Sequence, residues 1–145
     1  TNIKINNKIL HQSKLLNYFK NASSFKNIDK ELGIHLKKIK KNKKYFFSMK
    51  DIIFIEALKS DGIKIEKKYS NLYEVNNSQM PSDIQLYINN GDIGSAMLRI
   101  VEVIGQDKLE DIDPETMFFI ISTLNQLDID PLRNKILLKV LPLKV

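Results

Sequence analysis

Asp113-Pro-Glu-Thr-Met-Phe-Phe-Ile-Ile-Ser-Thr-Leu-Asn-Gln-Leu-Asp-Ile-Asp130-Pro131 begins and ends on the same dipeptide, Asp-Pro, repeated seventeen residues apart. Proline is tolerated at the first position of a helix, and an aspartate just before it accepts orphan amide hydrogen bonds. Each pair precedes an apolar-periodic segment of helical length. The spacing therefore predicts two helices of about four turns joined by a tight turn, with Asp113 and Asp130 as caps. It is also half of a helix-turn-helix repeat of roughly 34 residues. Met117 to Ile121 is apolar all round, as in a helix buried on both sides. The helix after Pro131 carries Leu132, Ile136, Leu137, Val140 and Leu141, and Pro142 ends it.

Towards the N-terminus the same signals recur. Asp92 caps a helix in which Ile93, Ala96, Met97, Ile100, Val101 and Ile104 form a wide apolar face. Pro81, Ser82 and Asp83 open a shorter helix that Asn89-Asn90-Gly91 closes. Residues 63–79 are weakly patterned: a short helix near 66–72 is expected, then a polar loop through Asn76, Asn77 and Ser78. Tyr45-Phe46-Phe47 and Ile52-Ile53-Phe54-Ile55 are β-prone. Ser48 and Asp51 nevertheless resemble a capping box, and Asp61-Gly62 is a stop, so Met49 to Leu58 is read as helix. Ile28, Leu32, Leu36 and Ile39 predict a helix over 28–41, with acids near its start and lysines near its end. A first helix is expected over 6–21, where Ile5, Ile9, Leu16 and Phe19 fall near one face. The fold class is all-α, with seven or eight helices stacked as hairpins in one domain of 145 residues.

Tyr87-Ile-Asn-Asn-Gly91-Asp92-Ile-Gly-Ser-Ala96-Met-Leu-Arg-Ile100 resembles the middle of a tetratricopeptide repeat. An aromatic residue, a turn glycine and a small alanine stand at the family's intervals, and Ile100 and Val103 occupy two further apolar positions. Glycine permits the tight turn, and alanine lets the paired helices approach. The resemblance covers residues 80–141, the C-terminal half of a chain whose basic half spans 1–79. No tryptophan starts the repeat, the acidic stretch Asp107 to Asp113 puts Pro114 out of register, and the hairpin 113–141 lacks a turn glycine. The resemblance implies a right-handed superhelix with a peptide groove lined by the first helix of each hairpin. The ending Ile136 to Val145 and the lysine-rich style are also similar to helical-repeat proteins of AT-rich alphaproteobacteria, a similarity that carries no function with it.

Composition adds limits. With 43% hydrophobic residues the chain suits a globular fold. It has no cysteine, so disulfides and thiolate metal sites are excluded. Arginine occurs only at Arg99 and Arg133, against abundant lysine, isoleucine and asparagine, a bias expected of an AT-rich coding genome. Residues 1–70 hold 17 lysines and 6 acids, a balance of +11, whereas 71–145 hold 6 basic residues and 11 acids, a balance of −5. No apolar run reaches the roughly 20 residues of a membrane span. Thr1 in place of methionine predicts a processed chain or the C-terminal part of a longer one. Neither a compartment nor an oligomeric state is indicated.

No constellation of acid, base, nucleophile and metal ligand is visible. A non-enzymatic protein without cofactor is therefore expected, most simply an interaction scaffold for a peptide or protein. The candidate groove residues are Asp83, Gln85, Asn89, Asn90, Thr116, Ser122, Asn125 and Gln126. A second reading takes Lys37, Lys38, Lys40, Lys41, Lys43 and Lys44 as a patch for nucleic acid or an anionic membrane surface, with Tyr45, Phe46 and Phe47 stacking on bases. The bland alternative is a solvated helix end with the aromatics in the core. Scarce arginine argues against specific base reading. A third reading is a helical accessory region of an envelope enzyme. Asp107, Glu110, Asp111, Asp113 and Glu115 lack the glycine and ligand spacing of a calcium loop. His11 and His35 are expected at the surface or its boundary.

Overall fold

A computed structural model of the chain describes residues 5–75 and 80–142. The described residues are all-α, without a strand. Six α-helices carry the fold: α1 (Ile28–Lys41), α2 (Met49–Ser60), α3 (Ser82–Asn89), α4 (Ile93–Ile104), α5 (Pro114–Gln126) and α6 (Asp130–Val140). The 3-10 helices Lys14–Phe19 and Lys67–Leu72 bring the described helices of six residues or more to eight. Leu10–Gln12, Ala22–Ser24 and Leu109–Asp111 are single 3-10 turns. The polar loop expected through Asn76, Asn77 and Ser78 lies outside the described residues.

The strand-prone segment is helix. Ser48 Oγ accepts from the Asp51 amide at 3.3 Å, and Asp51 Oδ2 accepts from the Ser48 amide at 3.1 Å, closing a capping box. Ile53, Phe54, Ile55, Ala57 and Leu58 are all buried. A helix surrounded by protein shows no amphipathic period, and so this segment mimics a buried strand in sequence. Its partner is α5, whose Met117, Ile120, Ile121 and Leu124 are likewise buried. The α2–α5 contact is the most extensive between helices. Around this pair, α6 packs on α5 and on the Lys14–Phe19 turn, while α3 joins α4 to α5.

The α3–α4 turn passes through Gly91 at φ 68°, a left-handed conformation that glycine adopts without steric cost. Asp92 then caps α4, accepting from the Ser95 amide at 3.1 Å, and Ala96 is fully buried against α3. In the α5–α6 turn the left-handed position falls to Asp128, at φ 56°. A side chain there is disfavoured by roughly 1–2 kcal/mol, partly offset by a stiffer unfolded chain. Asp128→Gly is therefore expected to stabilise the protein by about 0.5 kcal/mol. A rise in the urea midpoint at unchanged slope would show this, and an unchanged or lower midpoint would contradict it.

Two expectations need correction. Residues 6–21 do not form one α-helix. Asn6 accepts from the Lys8 amide, Ser13 from the Leu15 amide and Asn21 from the Ser23 amide. Such local side-chain bonds compete with the helical ladder, and the segment takes tight 3-10 turns. The tighter winding rotates Leu10 into the core and leaves Ile5 50% exposed. Asp130 is not a cap either: α6 begins at Asp130 itself, behind an Ile129 cap that makes no side-chain bond. Its carboxylate lies 3.7 Å from Arg133 one turn on. Asp113 does cap, accepting from the Thr116 amide at 3.0 Å. The amide and hydroxyl of Thr116 hold the Asp113 carboxyl below its ordinary value.

Candidate functional site

An open cleft of about 410 Å³ lies between α2 and α5. Phe118 and Ile121 of α5 and Ile53 of α2 give it apolar walls, and Glu56, Lys59 and Ser60 of α2 a polar edge. Of the proposed groove residues, Ser122, Asn125 and Gln126 line this cleft. Gln85 and Asn89 join them from α3. Gln85 Nε2 donates to Asn89 Oδ1 at 2.9 Å and Gln126 Oε1 at 3.3 Å, and Gln126 Nε2 donates to Ser122 Oγ at 3.3 Å. These amides make a continuous polar ladder from α3 to α5.

Glu56 is fixed in place. It pairs with Lys59 at 3.2 Å and accepts from the Tyr73 hydroxyl at 3.2 Å. Burial, and the Glu56 charge beside it, push the Tyr73 phenol up.

The other three groove candidates do not join. Asp83 turns to α4 and pairs with Arg99 Nε at 2.8 Å. Thr116 lies six residues before Ser122, a rotation of about 240° on the helix, and serves the Asp113 cap. Asn90 is exposed at the α3–α4 turn.

The six lysines from Lys37 to Lys44 are all exposed. They do not share one surface with the aromatics after them. Tyr45 packs against the core with its hydroxyl donating to Asp51 at 3.1 Å, and Phe47 stacks on Tyr73 at 5.6 Å. Only Phe46 of the three stands free, 84% exposed. Lys40 reaches across to the Lys68 carbonyl at 3.0 Å. A trough of about 750 Å³ runs between α1 and residues 64–69, and of the six lysines Lys37 alone lines it. The structure adds Lys30, Lys64, Lys67 and Lys68 to its walls, residues too scattered in sequence to form a run.

Two buried polar centres were not foreseen. Arg133, which has no exposed surface, makes a two-pronged pair with Asp61 at 2.8 and 2.9 Å. The same guanidinium donates to Asn125 at 3.2 Å and to Asn134 at 3.0 and 2.7 Å, and lies over the Phe19 ring at 5.6 Å. Tyr18 donates to Asp61 at 3.0 Å. Burial and this carboxylate push its phenol up to about 12. One arginine thus ties the ends of α2 and α5 to α6 and to the 3-10 turn.

The second centre corrects a sequence expectation. His11 is not at the surface but 7% exposed, because the 3-10 turn points it inward. Its Nδ1 lies 2.6 Å from Asp51 Oδ1, and its amide donates to the same oxygen at 3.1 Å. Asp51 Oδ2 accepts from Tyr45, the Ser48 amide and the Ser48 hydroxyl. Burial pushes the Asp51 carboxyl up, but bonds from His11 and Ser48 outweigh it and hold the group below its ordinary value. The ionised carboxylate only accepts, so His11 Nδ1 carries the proton. Burial and the charges of Lys38 and Lys14 lower His35, which sits half-buried at the boundary as expected.

Among the described residues no group of three or more His, Asp or Glu side chains could hold a metal ion, and no helix is long and apolar enough to cross a membrane. Fold and cleft define an all-α helical protein with an open groove on its central helix pair. Comparison with family models, curated proteins and solved structures finds no match.

Proposed function

We propose that the chain is a non-catalytic interaction scaffold that takes an extended peptide in the α2–α5 cleft. One observation carries the reading: the cleft combines apolar walls with a row of side-chain amides. Phe118 offers an apolar wall over a floor of the buried Ile121 and Ile53, while Gln85, Ser122, Asn125 and Gln126 offer donors and acceptors. An extended peptide presents a row of backbone amides and carbonyls together with alternating side chains. In this reading the hairpins α3–α4 and α5–α6 are tetratricopeptide-like repeats. The left-handed Gly91 and the buried Ala96 support that, as does the α3–α5 contact. Asp128 then stands where a second turn glycine would fall.

The test is a peptide selected from a random display library on the purified protein. Ser122→Arg places a long charged side chain in the cleft without touching the core. It is expected to weaken that peptide at least tenfold, about 1.4 kcal/mol, while Lys38→Glu on the far side of α1 leaves affinity unchanged. Equal affinity for wild type and Ser122→Arg would rule the cleft out.

A further inference from the structure

We propose that the trough between α1 and residues 64–69 is a docking surface for an anionic phospholipid bilayer. It is separate from the α2–α5 cleft, so either can fail alone. Lys30, Ile34, Lys37 and Lys41 follow one another at intervals of four, three and four along α1. Each residue turns the helix by about 100°, so the four occupy a stripe of roughly 60°. Leu32, Leu36 and Ile39 lie on the opposite, buried side. Ile34 is 57% exposed between these lysines. Across the trough Lys64, Lys67 and Lys68 form the other wall. Two acids share the surface, Asp29 and Glu66, and Glu66 is paired with Lys68 at 3.2 Å.

Basic residues around an exposed apolar side chain are the pattern of an element lying in a bilayer interface, with lysines on the phosphates and isoleucine among the acyl chains. A polynucleotide would use the lysines but gain nothing from Ile34. It would want free aromatic faces, and none is available in the trough. Tyr69 is 4% exposed beneath Lys40 and Lys68, Tyr45 and Phe47 pack inward, and the exposed Phe46 stands outside the trough. Charge acts in the same direction. The basic half, at +11, is attracted by a negative plane, and the other half, at −5, is repelled by it.

The experiment is co-sedimentation of the whole chain with phosphatidylcholine vesicles, with and without phosphatidylserine. Binding is expected only with phosphatidylserine. It should fall as salt shortens the screening length, about 10 Å at 0.1 M. Each of Lys30→Glu, Lys37→Glu and Lys64→Glu should lower the partition coefficient at least about fivefold, the factor expected for one lysine at an anionic surface. Ile34→Ser should lower it severalfold without changing the salt dependence, and the exposed Lys135→Glu on α6 should leave it alone. Equal binding to both vesicle types would overturn the proposal. So would trough variants that bind like wild type, or tighter binding to a single-stranded oligonucleotide than to the anionic vesicles.

Discussion

Arg133→Ala is expected to destabilise the protein by about 3–5 kcal/mol, because it leaves the largely buried Asp61 carboxylate without its guanidinium partner. Asp61 has 15% of its side chain exposed and takes both prongs of the guanidinium. Asn125, Asn134 and the Phe19 ring lose a partner in the same step. For a chain of this length 1 kcal/mol corresponds to about 2–4 °C, so the melting temperature should fall by on the order of 10 °C. Arg133→Lys should recover only a small part, since one ammonium cannot reproduce a planar fork with five donors. Arg133→Met combined with Asp61→Leu should cost less than Arg133→Ala alone, because no charge is then stranded. Thermal unfolding followed by circular dichroism measures all three. A loss of only 1–2 °C in Arg133→Ala, within roughly 0.5 kcal/mol of wild type, would mean that the clamp does not hold these elements together.

Asp51→Ala should be comparably damaging, at about 3–5 kcal/mol. Its carboxylate accepts from the His11 ring and amide, from Tyr45, and from the amide and hydroxyl of Ser48. Removing it strands those donors in the interior and opens the capping box of α2. The same group predicts a pH dependence. Its folded pKa lies below the 3.8 ordinary for an aspartate, so in acid the unfolded chain takes up the proton first. The stabilisation is complete above that value and is lost as pH falls through the lower, folded value. Urea midpoints of wild type should therefore drop below pH 3.8, and those of Asp51→Asn should drop less. The exposed acids Asp83, Asp92 and Asp113 titrate alike in both proteins and cancel in the comparison. Identical acid limbs would sink the assignment.

The elements with strong punctuation were legible in sequence. Ser48 with Asp51, Asp92, and Asp113 with Pro114 start helices where expected, and Gly62 and Gly91 end them. What failed was set by local competition or by distance. Residues 6–21 have helical apolar spacing, but their asparagines and serines bond to nearby amides and tighten the winding. Asp61 and Arg133 are 72 residues apart, and no local pattern joins them. One signal was available: in a chain where lysine dominates, the two arginines are the exceptions, and both form short pairs with an aspartate. The groove was legible only where helix faces coincide. Ser122 and Gln126 follow from four-residue spacing, whereas Asp83 faces Arg99 of α4 and Thr116 faces the Asp113 cap, directions that helix membership alone does not fix. The lysine run was obvious, but its partners across the trough depend on how residues 64–69 fold back on α1.

The most direct test of the scaffold is backbone chemical-shift mapping on titration with the library-selected peptide. Shifts are predicted to concentrate on Glu56, Lys59, Ser122, Asn125 and Gln126, with Gln85 following through the amide ladder. Saturation with shifts confined to α1 and residues 64–69, or with none in α2 and α5, would contradict it.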